Sequence, residues 1–126
     1  GIFDYTTALT FINLRSNNLE ALPDGVFDSL SALEYLYMNV NALTSLPTGI
    51  FDSLGALFSL RLADNSLTTL PPGAFDSLTA LDSLDLRNND LTTLPAGIFD
   101  SLAVLGHLYL GGNEDLACLP AIPPSA

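Results

Sequence analysis

The side chains of this chain that can hold charge or move protons are few in kind. There are three arginines, no lysine, one histidine, one cysteine, four tyrosines and fourteen carboxylates, giving a net charge of −11. Nucleophilic catalysis needs a nucleophile held beside a base. His107 falls at a strand position turned away from the core and Cys118 lies past the turn that follows, so the two do not read as a pair. Asp82 and Asp85 resemble a glycosidase carboxylate pair by type, but their spacing places them on an open sheet without a pocket. No GxxxxGK[ST] phosphate loop occurs. The chain therefore reads as a non-enzyme with no cofactor and no metal, and the chemistry left to it is recognition.

Charge and hydropathy narrow the partners. A lysine-free surface at −11 repels nucleic acid. Although 48% of residues are hydrophobic, no apolar run approaches the length of about 18 residues that a membrane-spanning helix needs. Five aspartates, Asp4, Asp28, Asp52, Asp76 and Asp100, recur at one spacing and are expected to form a column on the outer side. Each is expected to cap a short helical turn by accepting backbone N–H groups. Calcium is the competing reading, but it takes about six to eight oxygens and one carboxylate per rung falls short. Cys118 reads either as a small buried hydrophobe or as a half-cystine whose partner lay in a capping domain.

The elements that position these residues follow from a repeat. Leucines recur at Leu9, Leu33, Leu57, Leu81 and Leu105, asparagines at Asn17, Asn41, Asn65, Asn89 and Asn113, and Phe-Asp pairs at Phe3, Phe27, Phe51, Phe75 and Phe99. Each unit reads LxxLxLxxNxLxxLPxGxFDxLxx. Alternation from Ser83 to Leu86 marks a short half-buried strand, and the five strands are assigned to Leu9–Leu14, Leu33–Met38, Leu57–Leu62, Leu81–Leu86 and Leu105–Leu110. The asparagines are expected to turn the chain and to stack as a buried ladder that satisfies backbone groups. The phenylalanines are expected to stack as a spine. No repeat of this size buries its own apolar face, so neighbours must share one core and the architecture is a solenoid.

Residues 1–120 thus form five repeats, the first and last incomplete, and 121–126 form a proline-rich tail or the start of a cap or linker. The register slips by one residue after Asn113, since Leu116 stands three residues on where Leu91 stands two after Asn89. Because Gly1–Asp4 matches Gly97–Asp100, the chain begins in mid-repeat, and a fragment of a longer array is expected. The uncapped first repeat, around Ile2 and Tyr5, is a candidate for self-association.

Where the five units differ from one another, the scaffold leaves the residue free. The third strand position reads Phe11, Tyr35, Ser59, Ser83, His107; the fifth Asn13, Tyr37, Arg61, Asp85, Tyr109; the seventh Arg15, Asn39, Ala63, Arg87, Gly111. Every arginine, the only histidine and three of the four tyrosines lie in these columns. Such a mixture of aromatic and cationic groups favours binding hot spots. Two alternatives stand beside that reading: Arg61 and Asp85 on adjacent strands can pair with each other, and Phe11 and Tyr35 can stack across strands.

The LPxGIFD wording, the asparagine at each turn and the 24-residue period resemble the typical class of leucine-rich-repeat proteins. Similar wording occurs in the variable lymphocyte receptors of jawless vertebrates and in shuffled arrays of algae and other protists. The resemblance implies a right-handed α/β horseshoe with a parallel sheet on the concave face and short helical turns or loops on the convex face. It also implies recognition of a protein, or of a glycan, through Phe11, Asn13, Arg15, Tyr35, Tyr37, Asn39, Arg61, Asp85, Arg87, His107 and Tyr109. The lymphocyte receptors carry cysteine-rich caps where this chain has only Cys118, and commonly a lysine after Phe-Asp where this chain has serine or Tyr5. The function expected is a protein-binding module of a receptor-like or immune-type protein, with an extracellular or cell-surface location favoured. The alternatives are an assembly spacer and the sensor arm of an intracellular signalling protein such as a ROCO-type GTPase.

Overall fold

A computed structural model of the protein describes residues 8–116. The expectations for Phe3, Asp4, the edge around Ile2 and Tyr5, Cys118 and the tail lie outside the described residues. Five parallel strands, β1 (Phe11–Asn13), β2 (Tyr35–Tyr37), β3 (Ser59–Arg61), β4 (Ser83–Asp85) and β5 (His107–Tyr109), lie side by side in chain order. Their register equals the sequence repeat, with Phe11 facing Tyr35, Tyr35 facing Ser59, Ser59 facing Ser83 and Ser83 facing His107.

The strands are shorter than the six-residue spans assigned from sequence, each being three residues. Both ends have local causes. At the entry, two successive N–H groups share one carbonyl of the preceding repeat, as Glu34 and Tyr35 do with Thr10 at 2.8 and 3.0 Å. At the exit, the eighth position of every repeat turns left-handed: Ser16, Val40, Asp64, Asn88 and Gly112 have φ of 61°, 58°, 57°, 56° and 76°. One residue in that conformation swings the chain out of the extended direction. Ladder-type bonds still run past the strand ends, Leu62 N–H donating to the Asp85 carbonyl at 2.8 Å and Asp64 N–H to that of Arg87 at 2.9 Å.

Behind the sheet, Leu36, Leu60 and Leu84 from the centres of β2, β3 and β4 are fully buried, as are Leu33, Met38, Leu57, Leu62, Leu81 and Leu86 that flank these strands. Phe27, Phe51, Phe75 and Phe99 are buried on the far side of this core. Phe51 and Phe75 stack with centroids 6.3 Å apart, and Phe75 and Phe99 at 6.4 Å. Strands in a sheet lie about 4.7–4.9 Å apart, so successive turns fan open on the phenylalanine side. The sheet therefore lines the inner, concave side of the arc.

Among the described residues there is no helix. The convex side is built of turns closed by bonds three residues back, such as Ala74 N–H to the Pro71 carbonyl at 3.1 Å and Asp76 N–H to that of Gly73 at 3.0 Å. This corrects the capping role expected of the aspartates, because no helix follows them to supply a run of free N–H groups. The carboxylates of Asp28, Asp52, Asp76 and Asp100 instead fold back over the glycine three residues before each. A methyl group at Gly73 would sit 3.0 Å from Asp76 Oδ2, and Gly73 has φ of 71°. The G-x-F-D wording thus pairs a left-handed turn with a carboxylate occupying the space a side chain would fill.

The asparagine ladder forms as expected for Asn41, Asn65, Asn89 and Asn113. Each side-chain oxygen accepts the N–H of a residue in the preceding repeat, namely Leu19, Leu43, Leu67 and Leu91, at 2.9, 3.1, 3.0 and 3.2 Å. Each Nδ2 donates both to a carbonyl of the preceding repeat and to its own: Asn65 to Met38 at 3.1 Å and to Leu62 at 3.1 Å. The slip after Asn113 is absorbed by one turn, in which Leu116 N–H donates to the Asn113 carbonyl at 3.1 Å, and Leu116 still packs on the core. No helix among the described residues is long and apolar enough to cross a membrane.

Candidate binding face

Strand alternation sends the third and fifth residues of each repeat away from the leucine core. At the amino-terminal half of the concave face this brings together Phe11, Tyr35 and Tyr37. Phe11 meets Tyr35 edge to face at 6.3 Å and Tyr37 at 5.1 Å, and the two tyrosines meet at 6.4 Å. The cross-strand contact of Phe11 and Tyr35 therefore exists, yet Phe11 keeps 49% of its surface exposed. With Thr10, these rings border a shallow cavity of about 330 Å³.

Sequence columns missed a fourth ring. Phe58 stands at the second position of its repeat, is 45% exposed, and meets Tyr35 at 6.0 Å. The signal was available, since the second positions read Thr10, Glu34, Phe58, Asp82 and Gly106, as varied as the three columns singled out.

The centre of the face is polar. Arg61 and Asp85 occupy paired register positions, but they do not form the ion pair that adjacency suggests. The Arg61 guanidinium lies over the Tyr37 ring, 4.0 Å from its centroid. Asp85 is taken by Arg87, two residues on along its own strand direction and on the same face. Arg87 Nε donates to Oδ1 at 2.9 Å and Nη2 to Oδ2 at 2.7 Å, while the Arg87 backbone N–H also donates to Oδ1 at 3.1 Å. This two-pronged grip accounts for an aspartate only 7% exposed, and it raises the pKa of Arg87, through the Asp85 hydrogen bonds first and their mutual attraction second. Arg87 in turn lies 4.8 Å from the centroid of Tyr109.

Between these two Arg–Tyr pairs, the small residues Ala63 and Ser83 leave a depression of about 390 Å³, bordered also by Asn39 and Asp64. Asp64 is held at the rim by Asn88 Nδ2 at 3.0 Å. The side-chain oxygen of Asn39 is buried and has no hydrogen-bond partner.

The remaining candidates lie at the ends of the face. Asn13 accepts the Arg15 backbone N–H at 3.1 Å, and both residues are exposed. His107 stacks on Tyr109 with centroids 6.2 Å apart. Among the described residues, no three histidine, cysteine, aspartate or glutamate side chains gather where they could hold a metal ion, and this includes the convex aspartates.

A curved stack of parallel strands, bound by an asparagine ladder and displaying variable residues on its inner face, defines a class of repeat scaffold. The sequence matches the leucine rich repeat family over residues 7–67 and 56–114, and the chain belongs to that family. Domains of this family generally act as protein-interaction modules and are typically non-enzymatic. Comparison with the curated proteins finds no significant match.

Proposed function

We propose that the chain is a recognition module that binds a protein ligand on its concave face. The observation that carries this reading is the aromatic cluster of Phe11, Tyr35, Tyr37 and Phe58, joined to Arg61 through the Tyr37 ring. Phe11 and Phe58, 49% and 45% exposed, stand outside the buried core on an open sheet beside two tyrosines, and exposed apolar patches of this kind mark contact sites. Aromatic rings and arginine are also the residues that dominate interface energies. Phe11, Asn13, Arg15, Tyr35, Tyr37, Asn39, Arg61, Asp85, Arg87, His107 and Tyr109, with Phe58 added, form the contact set.

Within this reading the chain is part of a receptor-like or immune-type recognition protein acting at a cell surface. The support for that is its repeat wording, which resembles the variable lymphocyte receptors. The test is selection of binders from a displayed library of protein fragments, followed by measurement on a Tyr35→Ala/Tyr37→Ala variant whose circular dichroism is unchanged. Loss of binding of 10-fold or more supports the reading. Binders that hold equally well to the variant, or a library that yields none, refute it.

A further inference from the structure

Three groups around Ala63 carry hydrogen-bonding capacity that the fold does not use. The Arg61 guanidinium presents a face to Tyr37, while its edge, which carries five N–H donors, meets no acceptor among the described residues. The Asn39 amide makes no side-chain hydrogen bond and its oxygen is buried. Asn39 borders the depression, and its NH₂ group carries two N–H donors. The Ser83 hydroxyl lies on the same floor.

The carboxylates nearby each have a hydrogen-bond partner. Asp85 is gripped at 2.9 and 2.7 Å by Arg87, and Asp64 is tied to Asn88 at 3.0 Å at the rim. Arg61 is thus the cation of this depression without a carboxylate partner. Donors converging on a space floored by alanine and serine select an anionic acceptor, and a guanidinium edge matches a planar carboxylate with two parallel bonds. A lysine or arginine from a partner would meet Arg61 and Arg87 instead.

Resting on the reading of the concave face as a protein-binding surface, we propose that this depression receives the side-chain carboxylate of an aspartate or glutamate on a loop of the partner protein. Arg61 and Asn39 donate to it, and a neighbouring apolar side chain of the same loop covers the aromatic cluster. The two subsites are continuous through the Arg61–Tyr37 stack, so adjacent loop residues reach both. At −11, the chain favours a partner whose acidic tip stands in a basic surround, since like-signed surfaces slow encounter.

The experiment pans a library of disulfide-constrained random heptapeptides on the full chain. The expected result is enrichment of Asp or Glu next to an aromatic or aliphatic residue. Affinity of the enriched peptides should fall about 10- to 100-fold on Arg61→Gln, recover in part on Arg61→Lys, and fall on Asn39→Asp, which sets carboxylate against carboxylate. Peptides lost on Tyr35→Ala/Tyr37→Ala but lacking an acidic residue, or indifferent to Arg61→Gln, overturn the carboxylate site and leave the concave-face reading standing. Peptides indifferent to both sets of variants, or a library that enriches nothing, overturn both. Arg61-dependent binding of acidic glycans on an array, without acidic peptides, overturns the protein-loop assignment.

Discussion

Replacing Asn65 by alanine tests how the repeats are held together, and its cost can be worked bond by bond. Asn65 is 8% exposed. Its oxygen is the acceptor for the Leu43 N–H at 3.1 Å, and its Nδ2 donates to the Met38 and Leu62 carbonyls, each at 3.1 Å, with a longer contact to the Ala63 carbonyl at 3.3 Å that shares one of the same two N–H groups. The two carbonyls keep a second donor after the change, because Asn41 also reaches Met38 at 3.0 Å and Asn89 also reaches Leu62 at 3.0 Å. The Leu43 N–H keeps nothing. One orphaned buried donor costs about 1–3 kcal/mol and each lost bond with a retained alternative about 0.5–1.5 kcal/mol, so Asn65→Ala should lose about 2–6 kcal/mol. Asn17 occupies the same position in the first repeat, but it is exposed and among the described residues its amide makes one bond, to the Arg15 carbonyl at 3.0 Å. Asn17→Ala should cost about 0.5 kcal/mol or less. Urea unfolding followed by far-UV circular dichroism measures both, and hydrogen exchange at the Leu43 amide reports the orphaned group itself. An Asn65→Ala change within about 1 kcal/mol of the parent, or an Asn17→Ala change of equal cost, would refute the reasoning.

Further substitutions probe other parts of the scaffold. Val40 is a β-branched residue at φ 58°, a conformation costing about 1–2 kcal/mol for an ordinary L-residue. Asn88 fills the equivalent place in another repeat, so Val40→Asn should raise the urea midpoint, by a gain of about 0.5–1 kcal/mol. Gly73→Ala should lose about 1–2 kcal/mol, since it combines φ of 71° with a 3.0 Å approach to Asp76 Oδ2. Adding Asp76→Ala should recover only the steric share, and full recovery in the double-mutant cycle would contradict the backbone account. Asn65→Asp places a carboxyl against the Met38 and Leu62 carbonyls, which accept hydrogen bonds only from its protonated form. The folded-state pKa of that new group should therefore lie above the unfolded value of about 3.9, and its stability relative to the parent should fall from pH 4 to pH 7 in urea titrations. A flat difference across that range would contradict it.

Much of the fold was legible because a repeat states its own constraints. Asn41, Asn65, Asn89 and Asn113 recur because one amide must serve backbone groups of two turns at once, and Phe51, Phe75 and Phe99 recur because they stack. Strand length was not legible from leucine spacing, since buried leucines continue past the point where the backbone leaves the sheet. The left-handed eighth position decides that point, and its column of Ser16, Val40, Asp64, Asn88 and Gly112 carried a turn signal weakened by Val40. The convex aspartates were assigned caps for helices that do not form.

At the site, the aromatic cluster was legible from column variation, but Phe58 escaped because the second position was treated as framework. Register alone suggested the pairing of Arg61 with Asp85. It could not weigh that contact against an arginine two residues away on the same face, or against a tyrosine ring one strand over, and those are the contacts that form. The depression over Ala63 depends on which side chains fold aside, which spacing does not encode.

The claim at the centre of this account is that the concave face is where the protein meets its ligand. The most direct measurement is the affinity of one selected protein binder for the parent and for variants on the two faces. Tyr35→Ala/Tyr37→Ala should weaken it at least 10-fold, as expected for aromatic hot spots worth more than about 1.4 kcal/mol. Asp52→Asn/Asp76→Asn on the convex side should change it less than about two-fold at physiological salt, where exposed charges are screened. Equal losses on both faces, or a loss confined to the convex variant, would contradict it.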